Sequence, residues 1–400
     1  MRIGFVSTWF ERGAAYVTRS YIELLQDNHE IFIYARGGEA YGKDDPNWDK
    51  SNVTWAPTLM GTNINFHHFK KWISKNKIDT IFFNEQHDND IIYKIKMKFP
   101  EIKIGSYIDY YKEDTVNSFF LYDFLICNTK RHYSVFKNHP QCYYVPWGTS
   151  LETFYPMEHS PNNELTFFHS AGMSERKGTN YTIEAFIKGE LYEYSKLIIH
   201  TQSNFEKVFG YKEEYLKKYN IELIIGTVPA PGLYHLGDVY VYPTTLDGLG
   251  LTMYEALACG MPVITTDHPP MNEVINDNVG KLVEVDYFRS RSDAYYWPLS
   301  IVSIDSLIDS MRYFLDEKKV EKMKLNARNE AVELWNWKDR KDQVNTIFTT
   351  TQVVVDKPNS EYLSDKNIIE MLTQTAGSTY LYSYLKTIKR FKRDKIGIKN

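Results

Sequence analysis

The sequence predicts an α/β protein made of two doubly wound, parallel-sheet domains followed by a helical C-terminal region. Three observations carry that expectation. Short apolar runs alternate with helical patterns through the first ~150 residues. The same alternation resumes at Leu165, after a proline-bearing stretch. The third observation is DGLGLTMYE (247–255), which sets two acids and two glycines between a buried strand and a helix.

In chain order, IGFVST (3–8), EIFIYA (30–35), DTIFFN (79–84), IKIGSYI (102–108), DFLICN (123–128) and CYYVP (142–146) read as strands. A helix between the first two puts Tyr21, Leu24 and Leu25 on its apolar face. Residues 37–65, rich in Gly, Asn and Asp, read as loop. Three prolines and little periodicity mark a linker in PWGTSLETFYPMEHSPNN (146–163). The domains are therefore set at 1–150 and 164–345, joined by a linker at 151–163 and followed by a helical, basic extension at 346–400 expected to return to the first domain. In the second domain, LTFFHS (165–170), KLIIHT (196–201), IELIIG (221–226), DVYVYP (238–243) and PVITT (262–266) read as strands, with a helix near 179–189. From about 304 the pattern is helical. Sheets of this kind bind ligands outside the carboxyl ends of their strands, and two facing domains place a site in the cleft between them.

Composition narrows the class. The 400 residues are 43% hydrophobic and 24% charged, as in a soluble globular protein. A formal charge of -4 gives no sign of bulk nucleic-acid affinity. Three widely spaced cysteines in apolar contexts, Cys127, Cys142 and Cys259, read as reduced, buried thiols, and no zinc spacing exists. The N-terminal segment lacks a secretory pattern, and no apolar run approaches the ~18 residues that span a bilayer. The expectation is a cytoplasmic protein, at most peripheral at the inner membrane surface.

The segment 247–255 has two readings. In one, Gly248 and Gly250 let backbone approach a phosphate-bearing ligand, the helix N-terminus favours its charge, and Asp247 and Glu255 accept from sugar or ribose hydroxyls. In the other, Thr252 and Glu255 form a capping box at the helix start.

With these segments in order, the chain resembles the family 4 glycosyltransferases of the GT-B fold over roughly residues 1–345. The strongest match is TLDGLGLTMYEALACGMPVITTDHPPMNEVI (245–275), similar to the family's Glu-x7-Glu segment. AGMSERKGTNYTIEAF (171–186), VPWGTSLETFYP (145–156) and VYVYPTT (239–245) support it. The resemblance implies a retaining transfer of a glycosyl group from a nucleotide sugar, with two Rossmann-like domains facing a central cleft.

By that resemblance, Glu255 binds the nucleotide ribose and Asp247 lies beside the donor sugar, one methylene shorter than the family's usual Glu. Backbone N–H groups of Gly248, Leu249, Gly250 and Leu251 hold diphosphate or sugar oxygens. Lys177 neutralises the leaving diphosphate. The family arginine position is Gly172 here, so either Arg176 replaces it or SERKG is a solvated turn with one useful lysine. Gly13 matches the glycine loop after the first strand, although the usual second glycine is Ala14. Thr227 and Val228 lie where the base contacts backbone. For the residue facing the donor sugar, Asp109 and His87 are rivals. No metal or other cofactor is expected, because cations already face the phosphates.

Several segments remain outside that scheme. Asp88-Asn89-Asp90 reads as helix capping rather than a metal motif. His67, His68, His132 and His139 read as surface or core residues. The basic stretch 386–399, with Leu381, Leu385 and Ile388 at helical spacing, reads as a helix packed on the first domain or as a membrane-surface contact. The expected acceptor is a bacterial surface polysaccharide or lipid-linked glycan. Alternatives are a glycosyltransferase modifying phage or viral DNA bases, a sugar-nucleotide epimerase of the same fold, and a non-catalytic sugar-binding module.

Overall fold

A computed structural model describes residues 1–36, 42–59, 62–157, 164–172 and 174–354. Its chain divides into two units. The first holds residues 1–128, 132–145 and, within the described part, 340–354; the second holds 129–131 and 146–339.

Unit 1 begins β1 (Arg2–Ser7), α1 (Gly13–Leu25), β2 (Glu30–Ala35), β3 (Val53–Trp55), α2 (Phe66–Asn76), β4 (Thr80–Phe83), α3 (Asp90–Lys98) and β5 (Lys103–Tyr107). β6 (Phe124–Cys127), α4 (Lys130–Phe136) and β7 (Cys142–Tyr144) follow. The strands form one parallel sheet in the order β3-β2-β1-β4-β5-β6-β7. Every residue of β4, β5 and β6 is buried; β4 and β6 accordingly carry the apolar runs IFF and FLIC, whereas β5 also buries Lys103 and Ser106. The loop expected over 37–65 is corrected by β3, which pairs with β2 through Val53, Thr54 and Trp55. Three half-buried residues on a sheet edge leave no apolar run to detect.

Unit 2 contains β8 (Leu165–Gly172), α5 (Thr179–Lys188), β9 (Ser195–Thr201), α6 (Phe205–Phe209), α7 (Glu213–Lys217), β10 (Ile221–Ile225), β11 (Val239–Tyr242), α8 (Leu251–Ala258) and β12 (Val263–Thr266). It continues with β13 (Gly280–Val283), β14 (Val285–Arg289), β15 (Leu299–Val302), α9 (Ile304–Tyr313) and α10 (Glu317–Leu334). Six strands pair in parallel in the order β10-β9-β8-β11-β12-β13, and β14 and β15 make an antiparallel ribbon. Phe167, Ile183, Phe186, Ile199, Val241, Ile264, Leu307 and Met311 fill the core against α5 and α9. The three strands from Gly280 onward were absent from the sequence reading.

The chain re-enters unit 1 at Arg340, inside the span assigned from sequence to the second domain. α11 (Lys341–Thr350) delivers Phe348 among Phe5, Phe82 and Phe124, with ring centroids 6.5, 5.1 and 5.3 Å away. The buried Lys103 ammonium donates to the carbonyls of Phe348 (2.5 Å) and Thr351 (3.1 Å), satisfying the end of that helix. The basic stretch 386–399 lies outside the described residues.

Smaller expectations resolve locally. α3 starts after Asn89 without a side-chain cap, a correction to the capping expected of Asp88-Asn89-Asp90; Asp88 Oδ1 only closes the turn before it, accepting from Asp90 N–H at 3.1 Å. His68 contacts the Tyr34 hydroxyl, His132 the Tyr111 hydroxyl and His139 the Tyr122 carbonyl. All three cysteines are free thiols. Only Cys127 is fully buried; Cys142 and Cys259 are half-buried, a correction to the sequence reading. Burial pushes the Cys259 thiol up to about 12. Among the described residues no helix is long and apolar enough to cross a membrane.

Candidate functional site

Parallel pairing puts the carboxyl ends of β8, β10 and β11 at one edge of the unit 2 sheet. The turn 174–177, residues 226–228 and the loop 243–250 leave from that edge. The Ser174 side chain accepts from Arg176 N–H, which starts the turn. The Arg176 carbonyl then accepts from Thr245 N–H (2.8 Å) and the Thr244 hydroxyl (3.0 Å), tying turn to loop. Gly178 ends the turn at φ 84°, and a Cβ there would sit 2.1 Å from the Pro243 carbonyl oxygen. Only glycine permits that close approach.

Lys177, Tyr242 and Asp247 form one hydrogen-bonded cluster. The Lys177 ammonium donates to the Tyr242 hydroxyl (2.7 Å) and to Asp247 Oδ2, and the Tyr242 hydroxyl donates to the same Oδ2. Asp247 Oδ1 accepts from Gly250 N–H at 3.2 Å, closing the loop on itself. The Lys177 and Asp247 side chains remain 25% and 17% exposed, so a ligand can still reach them. Burial would raise the Asp247 carboxyl, but the neighbouring ammonium and three hydrogen bonds outweigh it and hold the carboxyl well below its usual range. Burial, and then the Asp247 charge, push the Tyr242 hydroxyl far above its ordinary value, so it stays a donor.

Gly250 adopts a left-handed backbone (φ 72°) as the N-cap of α8. The helix has no side-chain cap, so the capping box of Thr252 and Glu255 is not formed. Instead, Glu255 Oε2 accepts from the Tyr234 hydroxyl at 2.6 Å. Burial raises the Glu255 carboxyl, opposed by that hydrogen bond and by the Lys177 charge.

Arg131, grouped with unit 2, donates from Nη2 to the Asp247 carbonyl (2.5 Å) and from Nη1 to the Pro269 carbonyl (2.6 Å). Its guanidinium lies over Trp297 at 5.3 Å, and Glu273 accepts from its backbone N–H at 2.8 Å. The loop is therefore held by an arginine more than a hundred residues earlier in the chain.

The sequence-derived residues divide between the units. Arg176, Lys177, Thr227, Val228, Asp247, Gly248, Leu249, Gly250, Leu251 and Glu255 fall at the same end of unit 2. Arg176 is exposed, Leu249 is buried, and Thr227 is exposed beyond β10. Gly13 opens α1, and Asp109 follows β5 in unit 1. His87 follows β4, and its ring lies 4.4 Å from that of Tyr110, so the two rivals occupy neighbouring strand ends. Sequence reasoning missed Tyr234, Tyr242 and Arg131. For Tyr242 a signal existed: the alternation in VYVYP puts Tyr240 and Tyr242 on one face, where they stack at 5.6 Å, and a buried tyrosine hydroxyl needs a partner.

This architecture, two Rossmann-like units with a loop-and-helix site on the second, is the GT-B fold. Residues 153–293 match the family model of glycosyl transferases group 1, so unit 2 carries a domain of that group. The chain is 31% identical over 116 residues to sucrose synthase 2 of Oryza sativa subsp. japonica, covering 24% of this chain and 14% of that protein. It is 23% identical over 220 residues to the UDP-Gal:alpha-D-GlcNAc-diphosphoundecaprenol alpha-1,3-galactosyltransferase of Escherichia coli, covering 51% and 53%. The chain thus spans about half or less of the length of these curated relatives. Among solved structures, sucrose-phosphate synthase from Thermosynechococcus elongatus superposes with a TM-score of 0.67 at 16% identity, covering 87% of this chain and 98% of that one. Anabaena HepE in complex with UDP and glucose gives 0.63 at 13%, covering 88% and 100%.

Proposed function

We propose that the protein is a retaining, metal-independent glycosyltransferase of family 4 that uses a nucleotide-sugar donor and a lipid-linked or polysaccharide acceptor of the bacterial envelope. The observation that carries this reading is the position of Lys177, Asp247 and Glu255 at one sheet edge, around a loop that ends in a helix N-terminus. Glu255 keeps one carboxylate oxygen for ribose hydroxyls, since Tyr234 takes only Oε2. The match to a group 1 domain and the UDP in the HepE structure support a nucleotide sugar as donor. The coli relative acts on a diphosphoundecaprenol-linked sugar, which supports the acceptor class.

The chemistry makes negative charge on the departing diphosphate and positive charge at the anomeric carbon. Lys177, Arg176 and the N–H groups of 248–251 meet the first, and the α8 N-terminus adds roughly 0.3–1 kcal/mol per favourable charge. Asp247 meets the second electrostatically. With cations on the phosphates, the leaving diphosphate itself assists deprotonation of the acceptor, so no protein nucleophile is assigned.

Thermal shift against a panel of nucleotide sugars identifies the donor, because ligand binding to the folded state raises the melting temperature. Glu255→Ala should weaken UDP binding by about tenfold or more, and unchanged affinity by calorimetry would remove Glu255 from the site. Lys177→Ala should lower kcat more than donor affinity; the reverse split argues against leaving-group stabilisation. Turnover should survive a chelator, and loss restored by manganese would overturn metal independence. The anomeric configuration of the product, read by NMR, tests retention directly.

A further inference from the structure

Tyr242 lies beneath the site, its ring wholly buried and stacked on Tyr240. Its hydroxyl touches both members of the Lys177–Asp247 ion pair, accepting from the ammonium and donating to the carboxylate. The ring also stands 5.0 Å from the Lys177 ammonium. Lys177 is thus occupied by a carboxylate at the place where a phosphate would need it. A diphosphate can recruit that ammonium only if Asp247 gives it up.

We infer that Tyr242 is a positioning residue that takes over Asp247 when Lys177 turns to the diphosphate of a bound nucleotide, an inference resting on the donor-site reading above. When Lys177 leaves, Asp247 keeps two donors: the Tyr242 hydroxyl on Oδ2 and Gly250 N–H on Oδ1. Without the hydroxyl, Gly250 N–H alone faces a carboxylate that is only 17% exposed. An undersatisfied buried charge is costly, so the carboxylate would hold the ammonium instead. The tyrosine therefore sets how readily the lysine is released to phosphate. It contacts no substrate, and its effect runs through the ion pair.

The test is a calorimetric comparison of UDP and UMP binding to the full chain. UMP keeps the ribose and lacks the β-phosphate. Tyr242→Phe should weaken UDP binding about tenfold, the loss of one hydrogen bond to a charged group, while UMP affinity holds within twofold. Asp247→Asn, which removes the counter-ion, should bind UDP at least as well as the natural chain. Adding Tyr242→Phe in that background should then cost nothing further, which a merely structural tyrosine would not allow. Equal losses for UMP and UDP, an unchanged UDP affinity, or a loss that persists beside Asp247→Asn would each overturn the inference. Failure of the natural chain to bind either nucleotide would instead overturn the donor-site reading, and this inference with it.

Discussion

His169 shows how a single buried group in unit 2 is held in one protonation state. His169 is fully buried, with Nδ1 facing the Val241 carbonyl at 2.7 Å and Nε2 facing the Thr179 hydroxyl at 2.9 Å. A carbonyl only accepts, so Nδ1 carries the proton and Nε2 accepts from the threonine. Burial lowers the imidazole from 6.5 to about 4, the Val241 bond opposing and the Lys177 charge assisting. The resulting stability, about 3 kcal/mol, is present above pH 6.5 and is lost as pH falls toward 4, because the unfolded chain protonates first. His169→Gln should flatten the acid limb of the stability curve between those values, measured by urea unfolding at a series of pH values. At this scale the sequence was informative about charge and silent about partners. The spacing of Asp247 and Glu255 marked both acids. Their hydroxyl partners, Tyr242 and Tyr234, are apolar-looking letters whose polar tips matter only once the sheet sets them beside a carboxylate. Arg131 was beyond reach because its contact to the Asp247 carbonyl joins segments far apart in sequence.

Among elements, the turn 174–178 does the most to place the site. Its carbonyl at Arg176 is pinned by two threonines, and its closing glycine lies against Pro243. Gly178→Ala would cost roughly 1–2 kcal/mol from the left-handed backbone alone. The 2.1 Å approach to the Pro243 carbonyl adds to that, since backbone on both sides must move. The variant should melt lower and also bind UDP more weakly, because Lys177 moves with the turn; melting and calorimetry on one sample check both. Elements were legible where burial is two-sided. β4, β6 and β11 read as apolar runs because they are buried on both faces. β3 and β14 were not, since edge strands and ribbons mix half-buried and exposed residues. The two readings of 247–255 needed structure to separate. A capping box and a ligand loop use the same letters, and the Gly250 cap and the Tyr234–Glu255 bond exclude the first.

For the molecule as a whole, the sequence anticipated two Rossmann-like units and an extension returning to the first from 346, and the structure begins that return at Arg340. Boundary signals such as proline and polarity mark the entry at Pro146, whereas the return at Arg340 falls within continuous helical pattern between α10 and α11. Phe348→Ala should cost unit 1 about 3–5 kcal/mol, the penalty for removing a buried aromatic side chain. The UDP binding proposed for unit 2 should be spared, which denaturant unfolding alongside calorimetry would resolve. The place of α11 also dictates an order of events at the ribosome. Unit 2 is nearly a single uninterrupted stretch, 146–339, and has almost all its parts once that stretch has emerged. Unit 1 is begun first and finished last, because Lys103 and the Phe5–Phe82–Phe124 cluster wait for Phe348. For this chain the usual N-terminal-first sequence of domain completion is reversed.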